Sequence, residues 1–595
     1  MTATANDAST FEAPGLDWRR QIRFSAIGAL SCAFIALAGM PVGLDRRSIV
    51  YPVLSLGYLS LLWVPFVLAS LAGSQVVLEG MGERERDTRD LAAGALVGFG
   101  STVGLVGLMI LVKNFNLRDP LVNWSPQLLE LLSFNRSTTL GMLLWVVLGT
   151  TLGLLGGAMH VVPAMVRAKV LTVVLSVLLV SVLQTFLTDL LEGFRLEVFT
   201  DFIYYKRGGL EILGALLVAV LAIAIPLLVG GRIKGLRARV QKMPPDERSR
   251  TNLVLLGVGA ALLLILPFFL GKITNELLAN VGLFVLLALG LNIVVGLAGI
   301  LDLGYVAFFA VGGYTTAVLT SPNSPGFSPE LPWPVALIVV VVLTGLVGLF
   351  IGAPVIRMRG DYLAIVTLGF GEIIRLLFLS DWLSGWFGGA QGITNIPGVD
   401  VGIGTVKGTD PRSVFLLVLV FCGIAIYVSW RLEHSRLGRA WMAIREDEDV
   451  AEAMGVNTTS TKLMAFVVGA VLASFSGAIF SAKVGSIFPT SFIMLVSIII
   501  LVVVIVGGMG NIAGVIVGAV VLIGVLGGPK QPGLLQELGQ FKLLIYGALL
   551  VWMMLKRPEG LVPNVRRSRE LHQEEFLQDA WLKGEIDEDD EEDPS

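Results

Sequence analysis

The sequence predicts an all-α, polytopic integral membrane protein. Three observations carry that reading. The 595 residues are 55% hydrophobic and only 15% charged, where soluble domains carry about a quarter charged residues. Apolar windows of about twenty residues recur along the chain, the length a helix needs to span a bilayer and too long for barrel strands. The basic residues gather between these windows, so their distribution can be tested against the positive-inside rule.

Six apolar segments come first, near 24–42, 52–72, 91–112, 140–162, 170–187 and 210–230, and residues 1–230 read as one N-terminal membrane region whose loops carry no readable motif. Arg19, Arg20 and Arg23 before the first segment, with Ala36-Leu37-Ala38 inside it, have the look of a signal peptide. About twenty polar residues precede it, however, so the segment is read as a retained span. The basic stretch 231–250, with its Pro-Pro pair, is a linker. Ten segments follow, near 251–270, 278–297, 302–320, 333–354, 361–380, 413–430, 462–483, 492–508, 510–528 and 541–555, making about 16 in all. Residues 557–595 are a polar tail ending in acid, a composition that stays solvated.

With the N-terminus in the cytoplasm and every segment crossing, the basic groups fall inside. These are Arg84, Arg86 and Arg89, Arg167 and Lys169, the linker, Arg357 and Arg359, the cluster from Arg431 to Arg445, and Lys556, Arg557, Arg566 and Arg567. Loops 113–139, 188–209, 321–332 and 381–412 carry fewer for their length, and Arg46 with Arg47 is a mild exception. Both termini and the polar interval Trp430–Leu463 are then cytoplasmic. In that interval Leu437, Ala440, Trp441 and Ile444 fall at i, i+3, i+4 and i+7, which predicts a short helix with one apolar face. Gly455 ends the pattern as a C′ glycine would. Such a loop is either a plain connector or a docking surface.

Glycines of the C-terminal block gather at Gly290–Leu319 and Ile505–Leu522, the second containing the GxxxG of Gly514 and Gly518. Glycine-broken apolar segments with a polar residue at the break line transport paths, and close helix packing is the other reason for them. Asn292, Asp302 and Asn511 sit at these breaks. Within 361–380, Glu372 and Arg375 stand three apart and can pair on one helix face, for packing or for function.

Several chemistries are missing. The only Gly-Lys near a threonine, Gly271-Lys272-Ile273-Thr274, has Leu266 where a phosphate-binding loop needs glycine. Cys32 and Cys422 lie in apolar runs, and His160, His434 and His572 are scattered. Catalysis, a resident metal or cofactor, and a nucleic-acid partner are not expected, and work driven by ATP must come from another chain.

Together these residues bring a family into view. From about residue 251 the chain resembles the LivM-type permease subunit of branched-chain amino-acid ABC importers. The resembling stretches are GLAGILDLGYVAFFAVGGYT, RMRGDYLAIVTLGFGEIIRLL, GGAQGITNIPG, GRAWMAIREDEDVAEAMGVNTTSTKLMAFVVGA and VVVIVGGMGNIAGVIVGAVV, in the family's order. The resemblance implies a permease domain over 251–556 in the bacterial inner membrane. It also implies a LivH-type second permease, two ATPase subunits, an external substrate-binding protein and a small-molecule substrate. Leucine, isoleucine or valine leads as cargo, related permeases handle urea and amides, and an ion-coupled carrier is the alternative from another class. Asp449-Val450-Ala451-Glu452-Ala453-Met454-Gly455 resembles the E-A-A-x-x-x-G coupling motif, with Asp for Glu and Val for Ala. That makes Arg445, Glu446, Asp449, Ala451, Glu452 and Gly455 the expected ATPase-coupling residues, within a loop over 431–461. Asn292, Gly296, Gly299, Asp302, Gly304, Glu372, Arg375, Gly510 and Asn511 are the expected translocation path. The N-terminal region is not part of the minimal permease pattern.

Overall fold

The computed structural model describes residues 18–73, 89–115, 123, 125–205, 208–242, 245–358, 360–400 and 404–563. Arg84, Arg86, Arg359, Arg566, Arg567, His572 and the acidic tail lie outside the described residues, as do the side chains of the linker. The chain divides into two compact units, one of residues 1–191 and 195–251, the other of 192–194 and 252–595.

The first unit contains α1 (Trp18–Leu37), α2 (Met40–Leu44), α3 (Leu56–Gly73), α4 (Arg89–Asn114), α5 (Pro126–Leu132), α6 (Thr138–Val161), α7 (Ala164–Val182), α8 (Gln184–Gly193), α9 (Glu197–Ile203) and α10 (Ile212–Lys242). Helix α10 runs through much of the basic linker, which is therefore largely helical rather than a loop. Helices α1, α3, α4 and α6 pack as the core. Glycine lets α4 and α6 touch backbone to backbone. A Cβ on Gly94 would fall 2.3 Å from the Gly153 carbonyl oxygen, and one on Gly98 2.1 Å from that of Gly149. Trp145 is fully buried beside this seam, and its indole N–H donates to the Leu132 carbonyl at 2.8 Å. Arg47 is also buried, and it donates to the Ser181 and Val182 carbonyls at the end of α7 at 3.1 and 3.3 Å. Carbonyls at a helix C-terminus lack their full set of in-helix donors and sit at the negative end of the dipole, so a cation suits them.

Helix α11 (Pro245–Ile265) carries the chain into the second unit. There follow α12 (Lys272–Leu291), α13 (Val306–Thr320), α14 (Trp333–Val355), α15 (Asp361–Leu379), α16 (Ser384–Phe387), α17 (Pro411–Glu433), α18 (Arg436–Glu446), α19 (Glu448–Ala453), α20 (Thr458–Val484), α21 (Met494–Gly507), α22 (Ile512–Leu526) and α23 (Lys542–Lys556). Helix α12 is the axis of this unit. It packs on α17, α20 and α22, and every residue from Ala279 to Leu291 is buried. Strands are confined to pieces of two to four residues.

All sixteen apolar segments are helical. Among the described residues ten helices are long and apolar enough to cross a membrane, and five further apolar helices are shorter. The chain is a multi-pass, helical membrane protein.

Candidate coupling and translocation site

The polar interval folds as two helices. Ser435 caps α18, its hydroxyl accepting the Gly438 N–H at 3.2 Å, and Asp447 caps α19, its carboxylate accepting the Val450 N–H at 3.0 Å. These caps satisfy donors that a first helical turn leaves open. The sequence led to one helix over 437–455. The structure breaks it at Asp447, whose extended backbone (φ −155°, ψ 115°) is what an N-cap requires. Gly455, at φ +87°, closes α19 with a paired turn: its N–H donates to the Glu452 carbonyl at 2.9 Å, and that of Val456 to Ala451 at 3.0 Å.

The two helices are bolted to the start of α20. Trp441 is fully buried, and its indole N–H donates to the Thr461 carbonyl at 2.8 Å. The Lys462 ammonium meets the Glu448 carboxylate at 2.5 Å. Ile444 is buried too, whereas Leu437, at the start of the apolar stripe, stays 37% exposed. Glu446, Asp449, Glu452 and Gly455 face outward beside exposed Val450 and Met454, while Ala451 is buried. Arg445 turns inward. Its Nη1 donates to the Gly296 carbonyl at 2.6 Å.

Gly296 belongs to the first glycine break. Helix α12 loosens into a π-helical stretch, Asn292–Leu297, then leaves the helix at Gly299, φ +72°. The Asn292 side chain is buried, and its Oδ1 accepts the Gly510 N–H at 2.8 Å. Gly510, φ +77°, lies in the second break, the turn between α21 and α22. The two breaks and Arg445 therefore meet at one place. Asn511 is turned elsewhere, capping α22 through the Ala513 and Gly514 N–H groups and donating to the Val562 carbonyl at 3.1 Å.

The rest of the expected path forms a second group along α15. Asp302 is buried, with Oδ1 accepting the Gly304 N–H at 2.9 Å and Oδ2 without a partner among the described residues. Gly304 lies so close to α15 that a Cβ would fall 1.9 Å from the Thr367 carbonyl oxygen. Farther along α15, Arg375 donates to both carboxylate oxygens of Glu372.

One cleft escaped the sequence reading. It is lined by Leu283, Phe284, Leu287, Phe309 and Phe480, with Asn280 among its polar groups. Asn280 accepts from Lys483 at 2.6 Å, and the same ammonium meets Glu276 at 2.5 Å. The signal was present: Lys483 is an ionisable residue at the end of an apolar run, the kind that marks function in membrane helices.

A buried axial helix, two glycine breaks that meet, and an amphipathic helix pair pinned beneath them define a membrane permease. Residues 273–554 match the family described as branched-chain amino acid transport system / permease component. The chain is 37% identical over 325 residues to the high-affinity branched-chain amino acid transport system permease protein LivM of Salmonella typhimurium, covering 50% of this chain and 72% of that protein. The LivM of Escherichia coli is 36% identical over 321 residues, with the same shares. A probable LivH of Methanocaldococcus jannaschii is 27% identical over 244 residues, 40% of this chain and 75% of its own length. No solved structure matches. This chain belongs to the branched-chain amino acid transport permease family.

Proposed function

We propose that the chain is the permease subunit of an ABC importer for branched-chain amino acids, working by alternating access. It pairs with a LivH-type permease, draws its energy from two cytoplasmic ATPase subunits, and receives cargo from an external binding protein. Both termini and the α18–α19 pair lie on the cytoplasmic side of the inner membrane. The observation that carries this reading is the α18–α19 surface. It presents Glu446, Asp449, Glu452 and the Gly455 turn outward, while Trp441 and Lys462 fix it to a membrane helix. Force applied to that surface reaches the core.

The cleft beside Asn280 suits an apolar side chain. It offers about 40 Å³ to the centres of water molecules, room for about three of them at roughly 10–15 Å³ each. The buried Asp302 carboxylate, with Oδ2 open among the described residues, favours the ion-coupled carrier as second reading, because buried acids in membrane helices mark ion pathways.

Uptake by the reconstituted complex separates the two. Under the importer reading, an inactive ATPase subunit abolishes leucine uptake, and Gly455→Pro or Glu452→Arg leaves hydrolysis while stopping transport. Proline cannot adopt the positive φ of Gly455. Uptake that persists without hydrolysis, collapses with the membrane potential and is lost in Asp302→Asn would establish the carrier instead.

A further inference from the structure

We infer that Arg445 and Asn292 form a latch joining the two glycine breaks, so that Arg445 is a positioning residue facing the core rather than a contact for an ATPase. The part this latch plays in transport rests on the permease reading above; the latch itself does not.

The argument begins with three glycines. A Cβ on Gly299 would fall 2.7 Å from Cγ of Arg445, so only glycine lets the arginine stem pass. A Cβ on Gly296 would fall 2.2 Å from Oδ1 of Asn292 and 2.5 Å from the Gly510 nitrogen, so only glycine lets the amide reach across. Gly510 itself needs φ +77°, the left-handed region that side chains resist. The two hydrogen-bonding side chains thus press on Gly296 and Gly299, and the φ of Gly510 completes the set of three.

The carbonyls around the break sharpen the case. Ile293 and Val294 are answered from within, by the N–H groups of Ala298 and Ile300 at 3.1 and 3.0 Å. Gly296 instead accepts from a charged guanidinium, the stronger kind of hydrogen bond. The donor arrives from 149 residues along the chain. Because Trp441 ties the same helix to α20, a shift of α18 must strain the Arg445–Gly296 bond. Through Asn292 and Gly510 that strain passes to the turn before α22. Released, the two breaks can part and open one end of the path. Held, they keep it closed.

Val295 reports the state of the latch, since it lies within the π-helical stretch and is 8% exposed. The test places Val295→Cys in the full chain, within its assembled complex, in membranes made permeable to a maleimide. Labelling is expected to rise roughly tenfold in Arg445→Met, about the effect of losing one charge-assisted hydrogen bond. A smaller rise is expected in Asn292→Leu, and Arg445→Lys should restore part of the protection. Gly299→Ala keeps both partners while crowding the arginine stem and straining the left-handed backbone at position 299, so it too should raise labelling. In the same variants, uptake per ATP hydrolysed should fall while hydrolysis continues. Unchanged labelling in Arg445→Met and Gly299→Ala would overturn the latch. Raised labelling with full uptake per ATP would overturn its part in transport and leave the permease reading intact. ATP-independent uptake by the unaltered complex would overturn the permease reading without touching the labelling result.

Discussion

Two groups of glycines, one in each unit, play opposite roles. In the N-terminal unit, Gly94, Gly98, Gly149 and Gly153 lie inside unbroken helices and bring α4 and α6 to backbone contact. In the permease unit, Gly299, Gly508 and Gly510 take positive φ, and the helices stop there. The seam of the first unit is a rigid joint, since small residues let backbones approach and exchange packing along their length. The breaks of the second expose backbone groups that other side chains must answer, and Arg445 and Asn292 do so. Glycine content alone does not distinguish a joint from a hinge. The φ angle and the partner of the freed carbonyl do.

The comparison can be broken at its strongest point first. Gly153→Leu should separate α4 from α6, costing more than the roughly 1–3 kcal/mol usual for overpacked cores, because its Cβ would meet a backbone oxygen that cannot yield. Gly107→Leu, a position with open space around it, should leave thermal unfolding of the purified chain unchanged. Equal unfolding temperatures for the two variants would remove the joint. Next in size is Trp441→Ala, expected to cost about 3–5 kcal/mol of packing at the helix that carries Arg445. Protease cleavage after Arg436 or Arg439 should accelerate while the N-terminal unit resists as before. The smallest effect is that of Asp447→Ala, which removes the α19 cap at about 1 kcal/mol. Amide exchange in α19 should quicken about fivefold, and α20 should not change.

Much of this was legible beforehand. The sixteen apolar segments correspond to helices because uninterrupted hydropathy over such lengths leaves the backbone little choice in a bilayer. The outward acids of α19 and its closing glycine were legible because capping is local chemistry, set by residues within a turn of one another. The N-terminal glycine seam was not read, because Gly94 and Gly98 gain meaning only once α6 is known to lie beside α4. The split at Asp447 was missed because a carboxylate can sit within a helix or cap one, and hydrophobic period does not decide between them.

By itself, then, the sequence determined what the pieces are: membrane helices, two glycine-rich interruptions, and a polar interval with one buried face. Only the tertiary structure decided which pieces meet. Gly296 and Arg445 are 149 residues apart, Asn292 and Gly510 are 218, and Glu276 and Lys483 are 207. Periodicity reports the environment of a residue, buried or exposed, but carries nothing about the identity of a distant neighbour. Burying a carbonyl, an amide or an ammonium is costly until that neighbour is found, and the fold is where each finds its own.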